Sequence, residues 1–317
     1  MSFQKFVFKD QYRRIKGLGD RLESMKKQID WEPFRPIVRK AFFDGTEKGG
    51  RPHTDEITVV RMLLLQAWYG LSDTELEFRI NDSISFRNFL GYPDSISECS
   101  SVWRIRERLK KAGLDREIWD EFQRQLDAMG YKVKPGVIQD ATFVEADPGK
   151  KRNRNPKPLT ERQKSHVDRD GTFTAKNNQI HYGYKTHVKV EMGTGIIRDY
   201  EVTTASMHDS NIDLSLPGEV VYRDKAWTGK ATKAKGNATM KRGKLGIRQR
   251  MRNSRIARRR CPGERQFSVI KRVFRGDRTF VKTIGRVSVK EMFKYFAYNL
   301  YNLVTLQRTA IAKAMPF

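Results

Sequence analysis

Apolar side chains recur at helical spacing through roughly the first 130 residues and at strand spacing from Lys132 onward, so the chain changes structural class once. In the helical part Thr54 is placed as an N-cap, Asp55 and Glu56 suit the positive end of the following helix, and the apolar run through Leu65 and Trp68 stops at Gly70. Ser72 with Glu75 forms a capping-box pattern for a second helix, so helix, glycine turn and capped helix together are helix-turn-helix-like. A further helix beginning near Ser101 presents Arg104, Arg106, Arg108, Lys110 and Lys111 around Trp103 before Gly113. Asp115 then caps a helix with Ile118, Phe122, Leu126 and Met129 on one face, ended by Gly130.

Behind Pro135 and Gly136, Val137 to Val144 reads as a strand with one carboxylate, Asp140, in its middle. Residues 148 to 179 are polar and basic with several Pro and Asn and read as a loop excursion. Tyr182 to Val190 and Ile196 to Thr203 then predict a hairpin around Met192 to Gly195. After a helix near Asp209, Glu219 to Tyr222 is a strand running into Asp224. Cys261 to Phe274 starts another helix, with Pro262 suited to its first position. The last helix runs from about Ser288 to Ala312 with Met292, Phe296, Leu300 and Val304 as its buried stripe. The expected fold is therefore α+β or α/β, with an all-helical domain over residues 1–130 and a mixed-sheet domain over 131–317.

Charge sharpens that division. Residues 1–130 carry 23 basic and 21 acidic side chains, whereas residues 131–317 carry 40 and 16, which marks the second domain as a polyanion binder. Between Lys241 and Arg275 there are fourteen Lys and Arg and a single acid, Glu264. A mixed-sign surface would intersperse several acids, so one acid alone in a basic track implies a purpose. The run Arg255 to Arg260 reads as a track for backbone phosphates. The most apolar stretch, Met292 to Leu306, is broken by Lys294, Asn299 and Asn302, and Lys5, Lys9 and Asp10 break the start, so neither a spanning helix nor a signal peptide is expected. The two cysteines, Cys99 and Cys261, lack partners at zinc spacing.

Three acids stand in distinctive words: Asp140 in I-Q-D-A-T, Asp224 in V-V-Y-R-D-K-A-W and Glu264 in R-R-C-P-G-E-R-Q-F-S-V-I-K. With G-Y-K-T-H at Gly183 to His187, V-T-T-A-S-M-H-D-S at Val202 to Ser210, and W-E-P-F-R-P, L-S-D-T-E-L-E-F-R-I-N-D and W-R-I-R-E-R-L in the first domain, the chain closely resembles bacterial insertion-sequence transposases of insertion-sequence family five, which share an Asp-Asp-Glu triad. The related signature of Tyr, two residues, Arg, three residues, Glu, six residues, Lys falls on Arg260, Glu264 and Lys271, with Ala257 where the Tyr would stand.

The resemblance and the order of elements imply a ribonuclease-H-like sheet whose first and fourth strands are neighbours, so that Asp140 and Asp224 meet and a helix brings in Glu264. It further implies a DNA transposase: Asp140, Asp224 and Glu264 hold two magnesium or manganese ions, transposon ends are cut, and the freed 3′-hydroxyl is joined to target DNA. Three converging carboxylates repel one another without metal, and two ions can activate the attacking oxygen and stabilise the leaving one. The implied partners are double-stranded DNA, both terminal inverted repeats and target, and a second copy in a homodimer on DNA, in the cytoplasm at the bacterial nucleoid. DNA contacts are expected from Arg255, Arg258, Arg259, Arg260 and Lys271, and from Arg104, Arg106 and Arg108.

Each residue has a plainer role available. Asp140 can be a strand-edge acid, Asp224 a helix cap, Glu264 a first-turn acid and Lys271 a solvated lysine. Glu145 and Asp147 are alternatives to Asp140, and Asp209 to Asp224. His181 and His187 are read as packing residues, and His208 as structural or as an aid to the site. Trp103 either faces the bundle core or marks a DNA-contacting helix. Alternative functions are a nuclease of the same fold without strand transfer, and a catalytically silent DNA-binding protein.

Overall fold

The structure, a computed structural model, describes residues 3–42, 53–131 without 97, 136–148, 160, 167–241 without 177, and 243–314. The chain divides into two compact units, residues 1–131 with 292–317, and residues 132–291.

The first unit is helical. It contains α1 (Phe3–Lys16), α2 (Arg21–Lys26), α3 (Phe34–Arg39), α4 (Glu56–Tyr69), α5 (Asp73–Asp82), α6 (Ile84–Leu90), α7 (Cys99–Ala112) and α8 (Leu114–Ala128). The N-cap of α4 is Asp55 rather than Thr54: its carboxylate accepts from the Thr58 amide at 2.9 Å. Gly70 ends α4 in the left-handed conformation at φ 62°, which no β-carbon opposes, and Ser72 caps α5 through the Glu75 amide as the sequence pattern required. Gly113, not Asp115, stands at the N-terminal boundary of α8. Ile118, Phe122 and Leu126 are buried, while Met129 lies past the helix end and is exposed.

The last helix, α11 (Ile284–Ala314), starts in the second unit, and its residues from Met292 onward belong to the first. The expected second domain therefore loses residues 292–317 to the helical unit. Phe296 explains why: its ring stacks on Phe122 at 3.9 Å and packs against Phe34 at 5.6 Å, so it fills the middle of the helical core. Val304, placed on the buried stripe, is only half-buried.

The second unit is built on a mixed sheet. Its strands are β1 (Val137–Ala146), β2 (Thr172–Lys176), β3 (Gln179–Glu191), β4 (Ile197–Thr204), β5 (Val220–Arg223), β6 (Gly236–Thr239) and β7 (Arg278–Thr279). β3 pairs antiparallel with β1 and with both β2 and β4, while β5 runs parallel to β1, and β6 parallel to β5. β2 lies inside the stretch read as a loop; residues 149–159, 161–166 and 177 of that stretch lie outside the described residues. The helix expected near Asp209 is a single 3-10 turn, Asp209–Asn211. The basic track forms α9 (Ile247–Arg260), then a 3-10 turn at Cys261–Gly263 holding Pro262, then α10 (Glu264–Arg272). Among the described residues no helix is long and apolar enough to cross a membrane.

Candidate active site

The site begins where two parallel strands part. β1 and β5 pair at Val137 with Val221 and at Ile138 with Tyr222, and no later pair joins them. β5 ends at Arg223, whereas β1 continues to Ala146 and meets β7 only at Glu145 and Ala146. Between those points β1 borders a cleft, the type of crevice at strand carboxyl ends where ligands bind in α/β sheets. Asp140 and Asp224 line it together with Gln139, Ala141, His187, Asp209 and Trp227.

Asp140 accepts a hydrogen bond from the Ala141 amide at 2.9 Å. Asp224 caps a 3-10 turn, Lys225–Trp227, accepting from the Ala226 amide at 2.8 Å. Both roles for Asp224, cap and cleft carboxylate, coexist. Glu264 arrives by close packing: Gly263 lies so near β1 that a β-carbon on it would stand 2.6 Å from Ile138 Cγ2. Its φ of −69° is open to any residue, so glycine is required here by space and not by backbone conformation. That approach holds exposed Glu264 within electrostatic reach of Asp140, although Glu264 itself is not among the residues that line the cleft. Arg260, the last residue of α9, reaches Asp140 with its guanidinium nitrogen 3.5 Å from a carboxylate oxygen.

Burial pushes the Asp140 carboxyl above the ordinary carboxylate range, Arg260 and the Ala141 amide oppose that, and the charges of Asp224 and Glu264 push the same way as burial. The Arg260 cation thus offsets part of the cost of burying this carboxylate. Among the described residues no three His, Cys, Asp or Glu side chains converge tightly enough to chelate one ion in this conformation. The donors are nonetheless all hard oxygens, the chemistry that magnesium selects, and Asp140 gains from any added cation.

Two further groups line the cleft: His187, expected to be a packing residue, and Asp209, the expected alternative to Asp224. His187 is buried, bonds Thr203 Oγ1 at 3.0 Å, and is pushed down to about 4 by burial, so it is neutral near pH 7. Asp209 pairs with Lys185 at 2.9 Å. His208 caps the turn at Asp209–Asn211, and His181 stacks on Phe143 beside Glu145. Behind the cleft, fully buried Arg223 donates to Gln139 Oε1 at 3.1 and 2.6 Å, to Thr232 Oγ1 at 2.8 Å and to Asp213.

Residues 9–108 match the family described as Transposase domain (DUF772), and residues 131–300 match the Transposase DDE domain, which covers more than half of the chain. The chain belongs to the DDE-domain transposase family. No solved structure matches it.

The residues expected to touch DNA are distributed unevenly over this transposase. Arg255, Arg258 and Arg259 are exposed on α9, and the Arg259 guanidinium also sits on the Tyr222 ring and donates to its hydroxyl. Lys271 is half-buried seven residues from Glu264, on the same face of α10. On α7, Arg104 and Arg108 are exposed, as is Trp103, while Val102, Ile105 and Leu109 face the core. Arg106 is the correction: it turns inward, binds both carboxylate oxygens of Asp73, one of them at 2.6 Å, and donates to Gln66 Oε1 at 2.7 Å. Its side chain is 14% exposed, so its donors tie α7 to α4 and α5 instead of facing a groove.

Proposed function

We propose that this transposase cuts DNA at transposon ends and joins the freed 3′-hydroxyl to target DNA, with Asp140, Asp224 and Glu264 as metal-holding catalytic residues. The observation that carries the reading is the cleft between β1 and β5, lined by Asp140 and Asp224 from strands far apart in sequence, with Glu264 delivered beside it. Divalent ions bound there, magnesium or manganese, would activate the attacking oxygen and stabilise the leaving one. The chain's own part is electrostatic and positional. The three carboxylates place anionic charge in and near the cleft that bound cations would relieve, Arg260 partly neutralises Asp140, and Lys271 lies on the Glu264 face to meet phosphate.

α9 serves as the backbone-phosphate track, and exposed Arg104, Arg108 and Trp103 of α7 make local contacts in the helical unit. A ribonuclease-H-like fold, membership of insertion-sequence family five and a homodimer on DNA belong to the same reading. The sheet order β4, β3, β1, β5, β6, with the last two parallel to β1, supports the first of these. Alanine at Asp140, Asp224 or Glu264 should abolish cleavage of end DNA in magnesium while leaving duplex affinity at fixed salt within several-fold. Near-wild-type cleavage by any one of them removes that residue from the set, and absence of joined target product from the wild type leaves a nuclease without strand transfer.

A further inference from the structure

Arg223 and Gln139 each stand one position before a cleft carboxylate: Gln139 before Asp140, and Arg223 before Asp224. They are also the next residues along β1 and β5 after the last backbone pair, Ile138 with Tyr222. Where the ladder ends, a side-chain bridge replaces it, with Arg223 donating through Nε and one terminal nitrogen to the same oxygen, Gln139 Oε1. Gln139 is held in turn, since its amide nitrogen donates to the Ile212 carbonyl and its oxygen also accepts from the Leu214 amide at 3.3 Å. Asp213 completes the frame, taking Arg223 on one oxygen and the Lys233 amide at 2.9 Å on the other. Trp227, which lines the cleft, lies over the guanidinium at 3.8 Å.

A fully buried arginine is costly, and a buried ion pair is weak evidence of stability, because apolar residues of similar volume commonly do as well. What an arginine supplies and an apolar residue cannot is a rigid fork with fixed directions. We propose that Arg223 is a positioning residue: bridged to Gln139 and Asp213, it fixes the separation of β1 and β5 at the mouth of the cleft, and thereby the spacing at which Asp140 and Asp224 present their carboxylates. This rests on the reading of those two acids as metal-holding residues.

The test uses the full chain as wild type, Arg223→Lys, Gln139→Ala, and a control carrying Asp140→Asn with Asp224→Asn. Three properties are measured: manganese binding on the end-duplex complex, from the electron paramagnetic resonance signal of free manganese; duplex affinity at fixed salt; and thermal unfolding. Arg223→Lys keeps the charge and loses the fork, so it should weaken manganese binding by about 10- to 100-fold, with duplex affinity within about twofold and the protein folded at assay temperature. Gln139→Ala removes the same bridge from the other strand without touching a charge and should give the same metal defect, and it carries the test if the lysine variant fails to fold. Lower melting temperatures with unchanged manganese affinity in folded variants would overturn the proposal and make the bridge structural only. Wild-type manganese binding no stronger than that of the double-asparagine control would sink the metal reading itself, and the inference with it.

Discussion

Replacing Gly263 by alanine tests the site geometry with one methyl group. The backbone there suits alanine, so the perturbation is steric alone. The new β-carbon would lie 2.6 Å from Ile138 Cγ2 and 3.3 Å from Ile138 Cβ and Cδ1, against the 3.4 Å at which ordinary contact begins. Ile138 is 1% exposed and its strand is paired on both sides at that position, to Val190 and to Tyr222, so it has little room to yield. The turn at Cys261–Gly263 must then retreat by about 0.8 Å or more, carrying Arg260 on one side and Glu264 on the other. Overpacking of this kind costs about 1–3 kcal/mol of stability, and a displacement near 1 Å costs roughly 100-fold in rate. Gly263→Ala should therefore bind end duplex normally and cut it about two orders of magnitude more slowly, measured in single-turnover cleavage with excess protein. Ile138→Ala removes the colliding atom, so the double variant should recover much of the lost rate even though the single Ile138→Ala protein is less stable. A folded Gly263→Ala protein that cuts at the wild-type rate would refute the argument that this contact sets Glu264 against Asp140.

Asp140→Asn should stabilise the metal-free protein near neutral pH. The folded-state pKa of Asp140 is raised by burial, so its penalty is absent below the unfolded value, grows as pH rises from there, and is complete above the folded value. Melting temperature should rise by a few degrees near pH 7 and not near pH 3, and a loss at neutral pH would contradict the assignment. Neutralising Arg255, Arg258 and Arg259 together should flatten the slope of log affinity against log salt by about two to three, each phosphate contributing about 0.9; Arg255 and Arg258 alone should account for about two, since Arg259 also braces Tyr222. Arg106→Ala should cost about 1–3 kcal/mol by removing the guanidinium from the Asp73 carboxylate, which keeps the Gln66 amide, with little change in duplex affinity of the folded protein in a fixed-salt titration.

What the sequence disclosed follows from the range over which each signal acts. Ser72 with Glu75 and the glycine at 70 are local devices, complete within a few residues, and they appear where their patterns put them. Asp140 was visible as a carboxylate inside an apolar strand, and the adjacency of its strand to the one before Asp224 is present in the sheet. α9 was legible only as charge, because Ile256 is its one buried residue and a helix that buries one side chain shows no apolar period. β2 and β6 are short: T-F-T-A-K alternates but lies within a polar, basic stretch, and G-N-A-T shows no alternation. Arg106 sat in a row of exposed-looking cations, and only the position of Asp73 on a different helix turned it inward. Arg223 did leave a trace: an arginine in V-V-Y-R is a charge in an apolar run, the same kind of anomaly that drew notice to Asp140. Gly263 left none, since the need for a missing β-carbon arises from Ile138, remote in the chain.

The interleaving of the two units bears on biosynthesis. Domains fold as units while the ribosome works from the N-terminus, but the helical unit here lacks Phe296, Leu300 and Leu303, all fully buried, until the residues of the second unit have been made. Phe34 and Phe122 are translated early and wait for Phe296 to close between them. A nascent chain halted anywhere in the sheet would expose that unfinished core, making it a substrate for chaperones and proteases. The helical unit is thus completed only after the residues that carry the cleft have been made.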